Sequence, residues 1–216
     1  WEKTYKEGLE YLGMKFDEAR SQPFAGSSGV VHPILAESVT QFQAQAYKEL
    51  LPAKGPVKTE IVGARSPEVE MQADRVQQFM NYYIMNIMQE YDPEMDMLLF
   101  YLPLAGSAFK KVYFDTAQSR AMSKFIAPED LIVPYEASDL SSAERVTHVL
   151  NMSRNEIKKQ QLSGFYADVE LRGGGVNVSR SEIEEEIDEI QGIEPAYQED
   201  RDRVVYETHT ILDIAG

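Results

Sequence analysis

The chain has 216 residues, 43 % of them apolar, no cysteine and a formal charge of −15. That length supports one large domain or a main domain with a small subdomain. The missing thiols exclude disulfides and thiolate zinc sites, and no apolar run approaches the roughly 20 residues that span a bilayer. The acidic balance is the opposite of what a protein needs to grip phosphate backbones, although it permits surrounding DNA without holding it.

Residues 1–20 read as a helix, with Tyr5, Leu9, Tyr11, Leu12 and Phe16 forming an imperfect apolar stripe. Residues 21–29 are small and turn-forming and predict a loop, but without the Lys-Ser/Thr ending that lets such a loop hold phosphate. A second helix is expected from Pro33, with Leu35, Val39, Phe42, Ala46 and Leu50 on one face, stopped by Pro52 and Gly55-Pro56. Val57–Val62 alternates weakly and predicts a strand.

Ser66, Pro67, Glu68 and Glu70 are the signals of a capped helix start. Val69, Ala73, Val76, Met80, Tyr83 and Ile87 then define one face, and Phe79, Ile84, Met88 and Tyr91 widen it into a helix expected to pack on more than one side. Asp92-Pro93 interrupts this run. Asp92 is expected to cap a short helix through Met95, Leu98, Leu99 and Leu102, ended by Pro103 and Gly106.

The period then changes from helix to strand. Ala108–Phe114 and Met122–Ile126 predict a hairpin around the polar stretch 115–120. Leu131–Val133 and Val146–Leu150 are further short strands. Ser153 and Glu156 form a capping box for a short helix carrying Ile157 and Gln161, ended by Gly164. Residues 172–175 (Arg-Gly-Gly-Gly) read as a mobile junction, and Ser181 with Glu184 as a second capping pattern. Every charged residue from Glu182 to Glu194 is acidic, while Ile183, Ile187 and Ile190 keep a narrow apolar face. Neutralising those acids is expected to alter DNA retention or assembly if the run has a role beyond solvation. Val204–Leu212 predicts a closing strand.

The pattern is α+β: a helical N-terminal half packed with short antiparallel strands. Residues 1–170 are expected to form the core, 171–203 a glycine-rich junction with an acidic helical arm, and 204–216 the start of a strand region that continues in a longer product.

No catalytic constellation stands out. His32, His148 and His209 are far apart in sequence and read as structural. Glu129-Asp130 and Glu199-Asp200 are acidic pairs in a chain where such pairs are common. Asp92, Glu94 and Asp96 are oxygen donors suited to a hard cation, but they lack the glycine, the later donors and the closing glutamate of a calcium loop. Gly26-Ser27-Ser28-Gly29 and Ala105-Gly106-Ser107 are not nucleophile elbows. Lys110-Lys111 and Lys158-Lys159 read as solvated surface that is also able to meet acidic surfaces of a neighbour. Tyr82, Tyr83, Tyr91, Phe100 and Tyr101 read as core, since no basic groove accompanies them. The sequons at Asn151 and Asn177 are chance matches. No catalytic, cofactor or metal residue is therefore assigned, and no enzyme activity is expected.

The run from Tyr91 through Pro93, Leu99, Pro103, Gly106 and Lys110 to Tyr113 resembles portal proteins of short-tailed phages and related prophages. So does Ile126-Ala127-Pro128-Glu129-Asp130-Leu131-Ile132-Val133-Pro134-Tyr135, followed by Ser138-Asp139-Leu140. Gly29–Pro33 and the helix after it also fit, and the likeness runs from about Phe24 to Leu150, then more loosely through Tyr206–His209. The resemblance implies the outer wing of a subunit in a ring, usually dodecameric, at one capsid vertex in the virion. Its partners would be other portal subunits, capsid and scaffolding proteins. The terminase motor and tail adaptor would bind regions outside this chain, double-stranded DNA would pass through without sequence-specific binding, and no membrane is involved. The family's stem helices and clip would lie beyond Gly216. Two other readings are an acidic interaction adaptor unrelated to portals, and a metal-dependent hydrolase in which His32, His148 or His209 converge with acids.

Overall fold

A computed structural model describes residues 1–13, 24, 26–27, 32–116, 118–170, 183, 187, 190 and 203–211. The described elements are helices and short antiparallel strands, an α+β protein. The chain divides into two compact units, one of Met14–Ile126 and one of Trp1–Gly13 with Ala127–Gly216.

In the first of these units α2 spans Ile34–Leu50, with Pro33 as its N-cap rather than its first helical residue. Its buried point is Val39, 2 % exposed. The next predicted element, a strand over Val57–Val62, does not form. Residues 57–62 are irregular and pair with no strand among the described residues. They are tied instead to the helix that follows, α3 (Pro67–Tyr82). The Asn81 side chain accepts from Val57 N–H at 2.8 Å and donates to Val57 C=O at 3.0 Å. Thr59 N–H donates to Gln77 Oε1 at 3.1 Å. A side-chain amide is thus imitating a neighbouring strand, which satisfies the backbone without a ladder.

Ser66 caps α3 by accepting from Val69 N–H, and Pro67 opens it, as the sequence predicts. The expectation that α3 packs on several sides fails: none of its residues is fully buried. The half-buried line is Val69, Ala73, Gln77 and Asn81, the last three of which bond to residues 57 and 59, while Val76, Phe79 and Tyr82 are more than half exposed. The helix interruption also falls earlier than Asp92-Pro93. A π-helical turn covers Tyr83–Ile87, and Met88, 6 % exposed, leaves the helix.

Helix α4 runs Tyr91–Ala105, longer than predicted because Pro103 is accommodated inside it. Gly106 ends it in the left-handed region at φ 80°, which a side chain would resist. Asp92 is not its cap; the N-cap is Glu90, whose side chain does not cap. Leu99, 2 % exposed, is the most deeply buried residue of α4, the helix against which both α2 and the hairpin strand β2 pack. Strands β1 (Phe109–Asp115) and β2 (Arg120–Ile126) pair antiparallel with Phe109 opposite Ile126 and Asp115 opposite Arg120.

In the second unit β3 (Leu131–Ile132), β4 (Arg145–Met152) and β5 (Arg203–Thr210) form an antiparallel sheet in the order β3-β4-β5. Being central, β4 buries consecutive residues, Thr147 and His148. Helix α5 (Arg154–Leu162) carries the predicted capping box: Ser153 accepts from Glu156 N–H, and Glu156 accepts from Ser153 N–H. Helix α1 (Glu2–Leu12) buries Tyr5 and Leu9, and the remainder of the helix predicted over residues 1–20 lies outside the described residues. Residues 14–23, most of the 24–31 loop, the 172–175 junction, Ser181, Glu184 and the pair Glu199-Asp200 lie outside the described residues. Ile183, Ile187 and Ile190 are helical, and Ile183 is 2 % exposed. A Cβ on Gly13 would sit 3.0 Å from Ile190 Cγ1, so the absent side chain lets Ile190 close on the end of α1.

Candidate functional site

The predicted cation donors are pulled apart by helical geometry. Residues 92 and 96 share one face of α4, and residue 94 lies on another. Asp92 accepts from the Tyr47 hydroxyl, and Asp96 Oδ1 accepts from Gln43 Nε2 at 2.7 Å, so both serve α2. The bond to Asp92 raises the Tyr47 hydroxyl above its ordinary pKa, helped by its partial burial and by the charges of Asp92 and Asp96. Glu94 Oε2 faces the hairpin and accepts from Phe125 N–H at 2.5 Å. These carboxylates hold elements together and do not converge.

Glu94 belongs to a set of side chains that satisfies the outer edge of β2. Ala121 N–H donates to the Tyr83 hydroxyl at 2.9 Å, Ser123 N–H to Glu90 Oε1 at 3.4 Å, and Phe125 N–H to Glu94. Alternate N–H groups of an edge strand point away from its partner, and here each finds an oxygen on the turn before α4 or on α4 itself. Glu90 Oε2 also accepts from Arg120 Nη1 at 2.6 Å, with both side chains mostly buried. Burial pushes the Glu90 carboxyl upward. The bonds from Arg120 and the backbone, with the Arg120 charge, outweigh it and hold the group below its ordinary value.

The lysine pair on β1 is not simply solvated. Lys110 Nζ lies 3.8 Å from the centroid of the Tyr91 ring and 4.0 Å from Met95 Sδ. Burial lowers its pKa, opposed by the charge of Glu94. Lys111 Nζ stands 5.3 Å from the Tyr113 ring on the other face. Of the second pair, Lys158 reaches Asp168 Oδ1 at 3.0 Å and Lys159 is exposed on α5.

The aromatic residues do not form one core cluster. Tyr101 packs on Phe100 and Phe125, Tyr83 packs on Phe79, Tyr91 lies under Lys110, and Tyr82 is 56 % exposed. His32 is exposed before α2. Strand pairing does bring His148 and His209 to one sheet face: Glu207 stands opposite His148, and its Oε1 accepts from His209 Nε2 at 3.0 Å. His148 is buried while the His209 side chain is 72 % exposed. Glu129 and Asp130 lie in a single 3-10 turn, Pro128–Asp130. Among the described residues no group of three or more His, Asp or Glu side chains is placed to hold a metal ion. Among them also, no helix is long and apolar enough to cross a membrane.

Glu90 and Arg120 do not stand out in the sequence, and Tyr83 reads there as core. The only available signal was an acid at the end of one helical run and a basic residue opening a strand, which is too common to select. No protein-family model matches the chain, and no curated protein is a significant match.

Proposed function

We propose that this chain is a non-enzymatic, structural piece of a ring-forming portal subunit, acting at the capsid vertex through which a tailed phage packages and ejects DNA. The observation that carries the reading is the Tyr91–Tyr113 string, the longest stretch of resemblance. It is one mechanical piece: α4, its left-handed exit at Gly106, and β1. The side chains of Glu90 and Glu94 lock the returning strand β2 to the same piece. A body braced in this way suits a scaffolding role, in which stiff surfaces meet neighbouring subunits, shell and scaffold proteins. The charge of −15 suits a part of the ring that DNA passes without being held.

The test is the mass and shape of the longer gene product under assembly conditions, by light scattering and negative-stain microscopy. A closed ring with a central hole is the expected result. A product that stays monomeric with scaffold and shell protein present overturns the reading and favours the acidic adaptor.

A further inference from the structure

Among the described residues, the two sheets each leave one long strand edge open. Because the N–H groups of Ala121, Ser123 and Phe125 point away from β1, the hydrogen-bonded pairs of the hairpin are those of residues 109, 111, 113 and 115. The backbone groups of Lys110, Val112 and Phe114 therefore point outward. Among the described residues, no side chain answers them as Tyr83, Glu90 and Glu94 answer β2. Val112 is 68 % exposed and Phe114 62 %. An edge lysine ordinarily deters pairing, but Lys110 is folded back over Tyr91.

On β5 the bond from Ile211 N–H to Glu144 C=O fixes the same alternation. Residues 203, 205, 207 and 209 face β4, and Val204, Tyr206 and Thr208 face outward. Tyr206 is 60 % exposed.

One antiparallel register joins these two edges. With Val112 opposite Tyr206, Phe114 falls opposite Val204 and Lys110 opposite Thr208, so every outward residue meets an outward residue. The same register sets Lys111 opposite Glu207 and Asp115 opposite Arg203. Sliding by two residues in either direction puts Lys111 opposite Val205 or His209 and loses its acidic counterpart. Opposite charges and apolar pairs directly across strands are the units that select a register.

We propose that β1 of one copy pairs antiparallel with β5 of a second copy, in the register Val112–Tyr206. The contact joins two different surfaces, so repetition closes a ring or extends a filament. It rests on the ring reading for closure alone. A pairing this short buries less than a stable complex requires, and its strength comes from many contacts closing together.

The chain has no cysteine, so engineered thiols report the contact without background. V112C and Y206C chains are prepared separately, mixed and mildly oxidised. Directly opposed hydrogen-bonded residues lie about 5.5 Å apart at Cα, within disulfide reach. The expected product is the 112–206 heterodimer, exceeding either homodimer about tenfold, a preference of about 1.4 kcal/mol. F114C with V204C checks the register independently. K111E in the V112C chain is expected to lower the linked fraction about threefold, and E207K in the Y206C chain to restore it. Equal homodimers, or no link in either thiol pair, overturn the proposal. Rings of the longer product without the link also overturn it and leave the ring reading intact; the link without closed rings keeps the strand contact and overturns the ring.

Discussion

Arg120 Nη1 lies 2.6 Å from Glu90 Oε2, joining the first residue of β2 to the turn that precedes α4. The same carboxylate accepts from Ser123 N–H through its other oxygen. One side chain thus ties a strand end and a strand middle to the helical layer.

Replacing Glu90 by Gln should cost about 2 kcal/mol, the scale of a charged hydrogen bond that leaves a partly buried cation without its counter-charge. The sign of the pH effect follows from the pKa direction. Glu90 is held below its ordinary 4.5 in the folded state, so the unfolded chain binds the proton more readily. Its contribution is complete above that value and is lost as pH falls through the folded one. Urea titrations across the acid limb should show a shallower loss in E90Q than in the parent; identical acid limbs would remove Glu90 from the account.

Glu94→Ala should destabilise by about 1–3 kcal/mol, because Phe125 N–H loses its acceptor where water has poor access. The measurable mark is amide hydrogen exchange: Phe125 N–H should lose protection while the inward N–H of Lys124 keeps it. Equal loss at both would point to general loosening of the hairpin.

Asn81→Ala should release residues 57–62 from α3 and cost about 2 kcal/mol for two lost hydrogen bonds. Protease cleavage near Lys58 should rise well before global unfolding. Gly55→Ala should be as damaging by another route: Gly55 has φ +94°, and an added Cβ would lie 2.3 Å from Asn81 Oδ1. Unchanged cleavage in Asn81→Ala would show that the segment is held by other means.

Ser123→Ala should be neutral or stabilising by up to about 1 kcal/mol. The Ser123 residue is 1 % exposed and its hydroxyl has no hydrogen-bond partner among the described residues, so a desolvated polar atom is removed at little packing cost. Thermal melts decide the sign; a drop of several degrees would reveal a partner for the hydroxyl.

Local rules carried far. Ser66 with Pro67 and Ser153 with Glu156 start helices where the sequence says, because a cap needs only residues within one turn. Gly106 ends α4 for the same kind of reason. The hairpin β1–β2 and the strands β3, β4 and β5 were readable within one or two residues from their branched and aromatic runs.

Local rules failed where another segment supplies the partner. Val57–Thr59 has a strand's pattern but meets Asn81 and Gln77, so its backbone bonds go to a helix. The apolar residues of α3 suggested a core helix, yet the segment covering it reaches only the line through Ala73 and Asn81, leaving Phe79 exposed. Pro103 predicted a stop, but one proline in the last turn leaves enough of the ladder for α4 to reach Ala105.

The α+β class, the acidic charge, the helix starts and the strand periods are legible in the amino-acid order, since each depends on residues a few positions apart. Only the tertiary structure decided that Asp92 and Asp96 serve α2 while Glu94 serves β2. It alone also closed the edge of β2 with Tyr83, Glu90 and Glu94. The physical reason is that a backbone N–H accepts any oxygen that arrives, and which one arrives is set by packing across some thirty residues of chain.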